Sequence, residues 1–147
     1  MEISLALNLP RDELSVPVAR RIVDASMRTV GVEADCVDDV SLALTEACTN
    51  VLKHSGPGDE YEVTVTMHDD VCSISVTDVG RGFDFDTLQT GDASTEAERG
   101  RGVQLMKLLV DRVHFVSKPE AGSVVHMEKQ LEYVDGSLLD KAIAGDI

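Results

Sequence analysis

Tyr61-Glu62-Val63-Thr64-Val65-Thr66-Met67 is followed by His68-Asp69-Asp70 and then by Val71-Cys72-Ser73-Ile74-Ser75-Val76-Thr77. Both long runs alternate in polarity with the period of a half-buried strand, and the polar break between them is only three residues, so the stretch reads as a β-hairpin. Working outward, residues 2–8 alternate in the same way, with Ile3, Leu5 and Leu7 on one face and Pro10 as the stop. Residues 15–30 change to helical spacing. Ser15 is the expected N-cap, Pro17 sits in the first turn where its missing N–H costs little, and Gly31 closes the helix. Val18, Ile22, Ala25 and Met27 are its expected inner face, leaving Arg20, Arg21, Asp24 and Arg28 outside. A second helix over 34–54 carries Val37, Val40, Leu42, Ala43, Leu44, Ala47, Cys48, Val51 and Leu52 around most of its girth, the mark of a mostly buried helix. Ser55-Gly56-Pro57-Gly58-Asp59 ends it.

Downstream of the hairpin, residues 78–102 lose periodicity and hold five glycines, Gly80, Gly82, Gly91, Gly100 and Gly102. Aperiodic stretches of that length inside small domains are commonly functional. A helix over 103–110 follows, then strands over 113–117 and 123–128 around Lys118-Pro119-Glu120-Ala121-Gly122, then a short terminal helix over 135–143. The strands fall into hairpins and not into βαβ alternation. The expected architecture is therefore α+β, a two-layer α/β sandwich with a mainly antiparallel sheet covered on one face by helices.

Composition narrows the function. A chain of 147 residues buries roughly 70% of its extended surface, enough for one core. The balance of 13 Lys and Arg against 27 Asp and Glu, a net charge of −14, opposes non-specific contact with nucleic acid or anionic lipid. With 3% aromatics and no Trp, the core must be aliphatic. Cys36, Cys48 and Cys72 show neither disulfide nor zinc spacing, which fits a reducing cytoplasm. No apolar run approaches a membrane span, and the N-terminus lacks the basic and apolar segments of a signal peptide.

Three groups of residues can do chemistry. Glu46, Asn50 and His54 are successive i, i+4 neighbours on one stripe of the otherwise apolar second helix. A carboxylate and a carboxamide are costly to bury unpaired, so the stripe lines a cavity or meets a charged ligand, or else it faces solvent. Asp78-Val79-Gly80-Arg81-Gly82-Phe83 follows directly on a strand: the carboxylate can accept from an exocyclic amine, and the glycines let backbone approach a flat ligand. Arg99-Gly100-Arg101-Gly102 opens a helix, where free N–H groups beside arginines suit an anion. Taken singly, the second is also an ordinary strand exit and the third an ordinary capping turn. Neither the Walker loop nor the dinucleotide glycine pattern is present. His68, His114 and His126 lack metal-ligand spacing, and Cys48 reads as a small buried hydrophobe.

In this order, Glu46-Ala47-Cys48-Thr49-Asn50, Asp78-x-Gly80-x-Gly82-Phe83 and Gly100-x-Gly102 resemble the three ATP-binding boxes of the GHKL superfamily of ATPases. The form E-A-x-x-N-x-x-x-H-S and the start at a first strand are most similar to the anti-sigma-factor serine protein kinases, with the resemblance covering about 3–129. It implies the Bergerat-type ATP-binding fold, with residues 1–131 as the kinase domain, a lid over about 84–102, and residues 132–147 as an acidic tail or short helix without a family counterpart. It further implies ATP and Mg²⁺ as ligands. Asn50 would hold the metal, Asp78 would accept from adenine N6, Gly80 and Gly82 would shape the adenine pocket, Gly100 and Gly102 would meet the triphosphate, and Ser123 would lie near the adenine. Glu46 would be the general base. These roles suit the residue types, since a carboxamide oxygen is a hard ligand and a carboxylate one helical turn away can reach an approaching hydroxyl.

One departure concerns the cation at the γ-phosphate: the lid carries Asp84, Asp86, Asp92, Glu96 and Glu98, which leaves Arg99 and Arg101 as the candidates. The implied partners are a sigma factor and a STAS-type anti-anti-sigma protein, with a homodimer left open and no direct nucleic-acid or membrane contact. The acidic charge agrees with steering toward a basic protein surface. A second reading is a docking module of the same fold without catalysis; retention of both Glu46 and Asn50 argues for the kinase.

Overall fold

The computed structural model describes residues 1–53, 60–78, 101–118 and 122–147. Within them the chain forms β1 (Glu2–Pro10), α1 (Ser15–Val30), α2 (Ala34–Lys53), β2 (Glu60–His68), β3 (Val71–Thr77), α3 (Arg101–Leu109), β4 (Arg112–Lys118), β5 (Gly122–Gln130) and α4 (Leu138–Ala144). The strands make one sheet in the order β1-β2-β3-β5-β4, with every neighbouring pair antiparallel. This is the expected α+β sandwich. The two hairpins β2–β3 and β4–β5 join through the pairing of β3 with β5, from Val71 opposite Gln130 to Thr77 opposite Val124.

Alternation along the strands sets the core. Tyr61, Val63, Val65 and Met67 of β2, Cys72, Ile74 and Val76 of β3, and Val125 and Met127 of β5 all point into one aliphatic cluster with α1, α2 and α3. α2 is the central helix, packing on α1, α3, β3 and β5. Its buried residues, from Val37 through Val40, Ala43, Leu44, Ala47 and Cys48 to Val51, cover most of its girth, while Leu42 is exposed.

Several sequence expectations change. The inner face of α1 is Ser15, Ala19, Val23 and Met27; Met27 is where it was expected, but Ala25 is exposed and Val18 and Ile22 are 48% and 38% exposed. The small Ala19 lets α1 approach its neighbours, whereas the larger side chains at Val18 and Ile22 lie on the far side. Ser15 is not the N-cap. Leu14 holds that position, and the Ser15 hydroxyl instead contacts the Asp12 carbonyl oxygen at 2.6 Å and the Tyr61 hydroxyl. Strand β1 runs on through Pro10, which an edge strand tolerates because its outer N–H positions have no ladder partner.

The residues after β5 fold back on the body. Glu33 N–H donates to Glu132 O at 2.9 Å, Val134 N–H to Gly31 O at 2.7 Å, and the Tyr133 hydroxyl to Asp69 O. α4 is capped by Ser137 and buries Leu139. Gly31 is required twice over at this junction. It is left-handed at φ 98°, and a Cβ on it would lie 2.1 Å from the Ser137 Cβ. Among the described residues, no helix is long and apolar enough to cross a membrane.

Candidate functional site

Glu46 and Asn50 lie one turn apart near the C-terminal end of α2. α2 is held helical here by the apolar residues that recur on most of its faces, and Thr45 and Thr49, weaker helix formers, satisfy their hydroxyls on carbonyls four residues back. Asn50 is only 6% exposed and Glu46 is half-buried. What closes over them is the start of α3. A Cβ placed on Gly102 would fall 2.7 Å from Asn50 Nδ2 and 3.3 Å from Glu46 Oε2, so a side chain there would have to push the Asn50 amide aside. The helix begins at Arg101, which puts Gly102 inside its first turn and not before it. At the other end of α3, Lys129 Nζ donates to the Leu109 carbonyl at 2.9 Å and lies 3.3 Å from Asp39 Oδ2 of α2, holding the two helices in register.

The second constellation sits where β3 ends. Asp78 N–H donates to Ser123 O at 3.0 Å, and Ser123 N–H donates to Asp78 Oδ1 at 2.7 Å, extending the β3–β5 pairing by a side chain. The Asp78 side chain is wholly buried, as is Ser123. A carboxylate at such a position must be paired. Its other oxygen, Oδ2, accepts from Arg11 Nη1.

Arg11 was not among the expected site residues. The signal that points to it is strand register: Asn8 pairs with Glu62, and Glu62 with Thr77, so the chain leaves β1 and β3 at the same end of the sheet. An arginine just beyond β1 and an aspartate just beyond β3 are thereby neighbours across β2.

The structure thus brings Glu46, Asn50 and Gly102 together and, separately, Asp78 and Ser123. Gly80, Gly82, Arg99, Gly100, His54 and nearly all of the expected lid lie outside the described residues, as does the side chain of Arg101. Cys48, between Glu46 and Asn50 in sequence, faces the core, and burial pushes its thiol up to about 12, so it is no nucleophile at neutral pH. His126 is buried on the sheet and shares a hydrogen bond with the Ser75 hydroxyl at 2.8 Å; burial lowers its pKa. The described residues contain no group of side chains arranged to hold a metal through His, Cys, Asp and Glu alone.

Residues 9–129 match the family model of the histidine kinase-like ATPase domain. The chain belongs to that family. Within it, the serine-protein kinase RsbW of Halalkalibacterium halodurans is 30% identical, the alignment covering 88% of this chain and 84% of the relative. The serine-protein kinase RsbW of Bacillus velezensis is 27% identical over 92% of this chain and 89% of that protein. Among solved structures, the RsbU and RsbW domains of Rv1364c from Mycobacterium tuberculosis superpose with a TM-score of 0.67 over 88% of this chain, at 16% identity. The matched region is 32% of that longer chain, and the likeness is one of fold. Family membership implies ATP as the ligand.

Proposed function

We propose that this protein is a cytoplasmic Mg·ATP-dependent serine protein kinase that acts as an anti-sigma factor, phosphorylating a STAS-type anti-anti-sigma partner and sequestering a sigma factor. The observation that carries the reading is the seat of Gly102 against Asn50 and Glu46, because it joins a glycine that opens a helix to an amide and a carboxylate suited to a metal-bound triphosphate.

The residues present fit Mg²⁺. The buried Asn50 carboxamide offers a hard oxygen ligand, and the backbone at Gly102 comes so close that a side chain there would displace the Asn50 amide. When bound, the ion supplies charge neutralisation across the phosphates. Glu46 takes the proton from the partner's serine hydroxyl as its oxygen bonds to the γ-phosphorus and the bond to the ADP oxygen breaks. In this reading the N-terminal N–H groups of α3, with Arg99, Gly100 and Arg101, would serve the phosphates, and Asp78 would accept from the adenine amine, with Gly80, Gly82 and Ser123 assigned to the base by the family resemblance.

The docking-module reading has one observation in its favour, the engagement of both Asp78 carboxylate oxygens by protein groups, the Ser123 N–H and the Arg11 guanidinium. Incubating the protein with Mg·ATP and each small STAS-type protein of the same genome, followed by mass spectrometry, separates the two. Phosphoserine on one partner is the expected result. Tight partner binding with no phosphoserine on any of them would favour docking without catalysis.

A further inference from the structure

Asp78 cannot serve as a base acceptor in the arrangement described above. Its side chain has no exposed surface; Oδ1 is taken by the Ser123 N–H and Oδ2 by the Arg11 guanidinium. Each oxygen can accept a second bond, but with no exposed surface the carboxylate is reached by a ligand amine only if a group that covers it moves aside, and among the described residues two partners hold it. Ser123 is a poor candidate, because its N–H belongs to β5 backbone that is paired on both sides, with β3 and β4. Arg11 is the better one. It lies in the short connection between β1 and α1, its side chain keeps 13% of its surface in contact with solvent, and it carries a long stem that can swing outward.

We infer that Arg11 is a gate on the base pocket, an internal cation that pairs with Asp78 and must be displaced by the amine of an incoming adenine. This rests on the nucleotide-binding reading proposed above and adds to it a residue outside the three glycine and acid boxes. The contact lowers apparent affinity by the fraction of molecules in which Asp78 is open. It also stabilises the empty protein by pairing a buried carboxylate. The two effects have opposite signs, which a purely structural ion pair does not produce.

Calorimetric titration of the full chain with Mg·ATP, beside thermal melting without nucleotide, tests the gate. Arg11→Ala is expected to bind ATP about 5- to 10-fold more tightly than wild type while melting at a lower temperature. Arg11→Gln keeps a neutral donor for the carboxylate and should fall between them in both measurements, and it stands in if the alanine variant fails to fold. In an Asp78→Ala background, Arg11→Ala should change ATP affinity no further, because the arginine has lost its partner. If Asp78→Ala weakens ATP binding but neither Arg11 variant tightens it, the gate is wrong and the nucleotide site stands. If neither the wild type nor any variant binds Mg·ATP, the nucleotide reading falls and the gate with it.

Discussion

The α2–α3 contact and the end of β3 solve opposite problems with similar residues. At the first, Glu46 is half-buried, Asn50 sits beneath backbone, and glycine keeps the approach free of side chains. At the second, a carboxylate is closed off completely and neutralised by a cation from the other side of β2. Chemistry with a charged, hydrated ligand needs groups that stay reachable. A group that reads a flat base can wait behind a gate, because the base itself excludes water once seated. Under the proposed function, phosphate handling and base reading would fall to separate parts of the fold, each with its own test.

The largest effect belongs to the first region. Asn50→Ala should remove the Mg²⁺-dependent part of ATP affinity altogether, since the metal would lose its dedicated protein ligand. Titrations with and without Mg²⁺ check this, and an unchanged Mg²⁺ effect would take Asn50 out of the site. In the second region, Asp78→Ala should cost ATP about 10- to 150-fold, toward the lower figure because the competing Arg11 contact disappears as well. GTP, which offers a carbonyl where ATP offers the amine, should bind wild type far more weakly, and equal affinities would break the assignment.

Gly102→Ala sharpens the comparison because it leaves the second region alone. Its Cβ would displace the Asn50 amide, while alanine in the helix is intrinsically better than glycine by about 1 kcal/mol. Mg·ATP affinity should drop roughly tenfold with thermal stability preserved, a split that parallel calorimetry and melting would reveal.

The smallest effect lies away from both regions. Burial lowers the pKa of His126, so the unfolded chain takes up this proton first; the contribution is present above about pH 6.5 and lost as the pH falls below it. His126→Gln should therefore show less loss of urea resistance between pH 7.5 and 5.5 than wild type. The nearby Glu128 and His114 act on the same ring in opposite directions, which keeps the difference small.

Strand positions were legible because alternation and polar breaks are local signals; β3 was expected over the residues it occupies, and β2 to within one residue at each end. The face of α1 was not. Reading by side-chain size favoured Val18 and Ile22, but the buried face uses the small Ala19 beside Val23 and Met27, and which face is buried follows from the packing of α1 on α2, which lies beyond the local sequence. The box residues Glu46, Asn50, Asp78 and Gly102 were nameable from spacing, whereas the proximity of Gly102 to Asn50 is a tertiary fact. Arg11 carries no motif at all. Its link to Asp78 spans 67 residues and follows only from which strands lie side by side.

The central claim is that α2 presents a working base beside a metal-bound triphosphate, and Glu46→Gln addresses it directly. The amide keeps the shape and hydrogen bonding of the side chain but cannot take a proton. Rapid-quench measurement of phosphoryl transfer to the serine partner at saturating Mg·ATP, with affinity measured in parallel, should show ATP binding retained and transfer slowed by about 10²- to 10⁴-fold. Transfer at the wild-type rate would contradict the account.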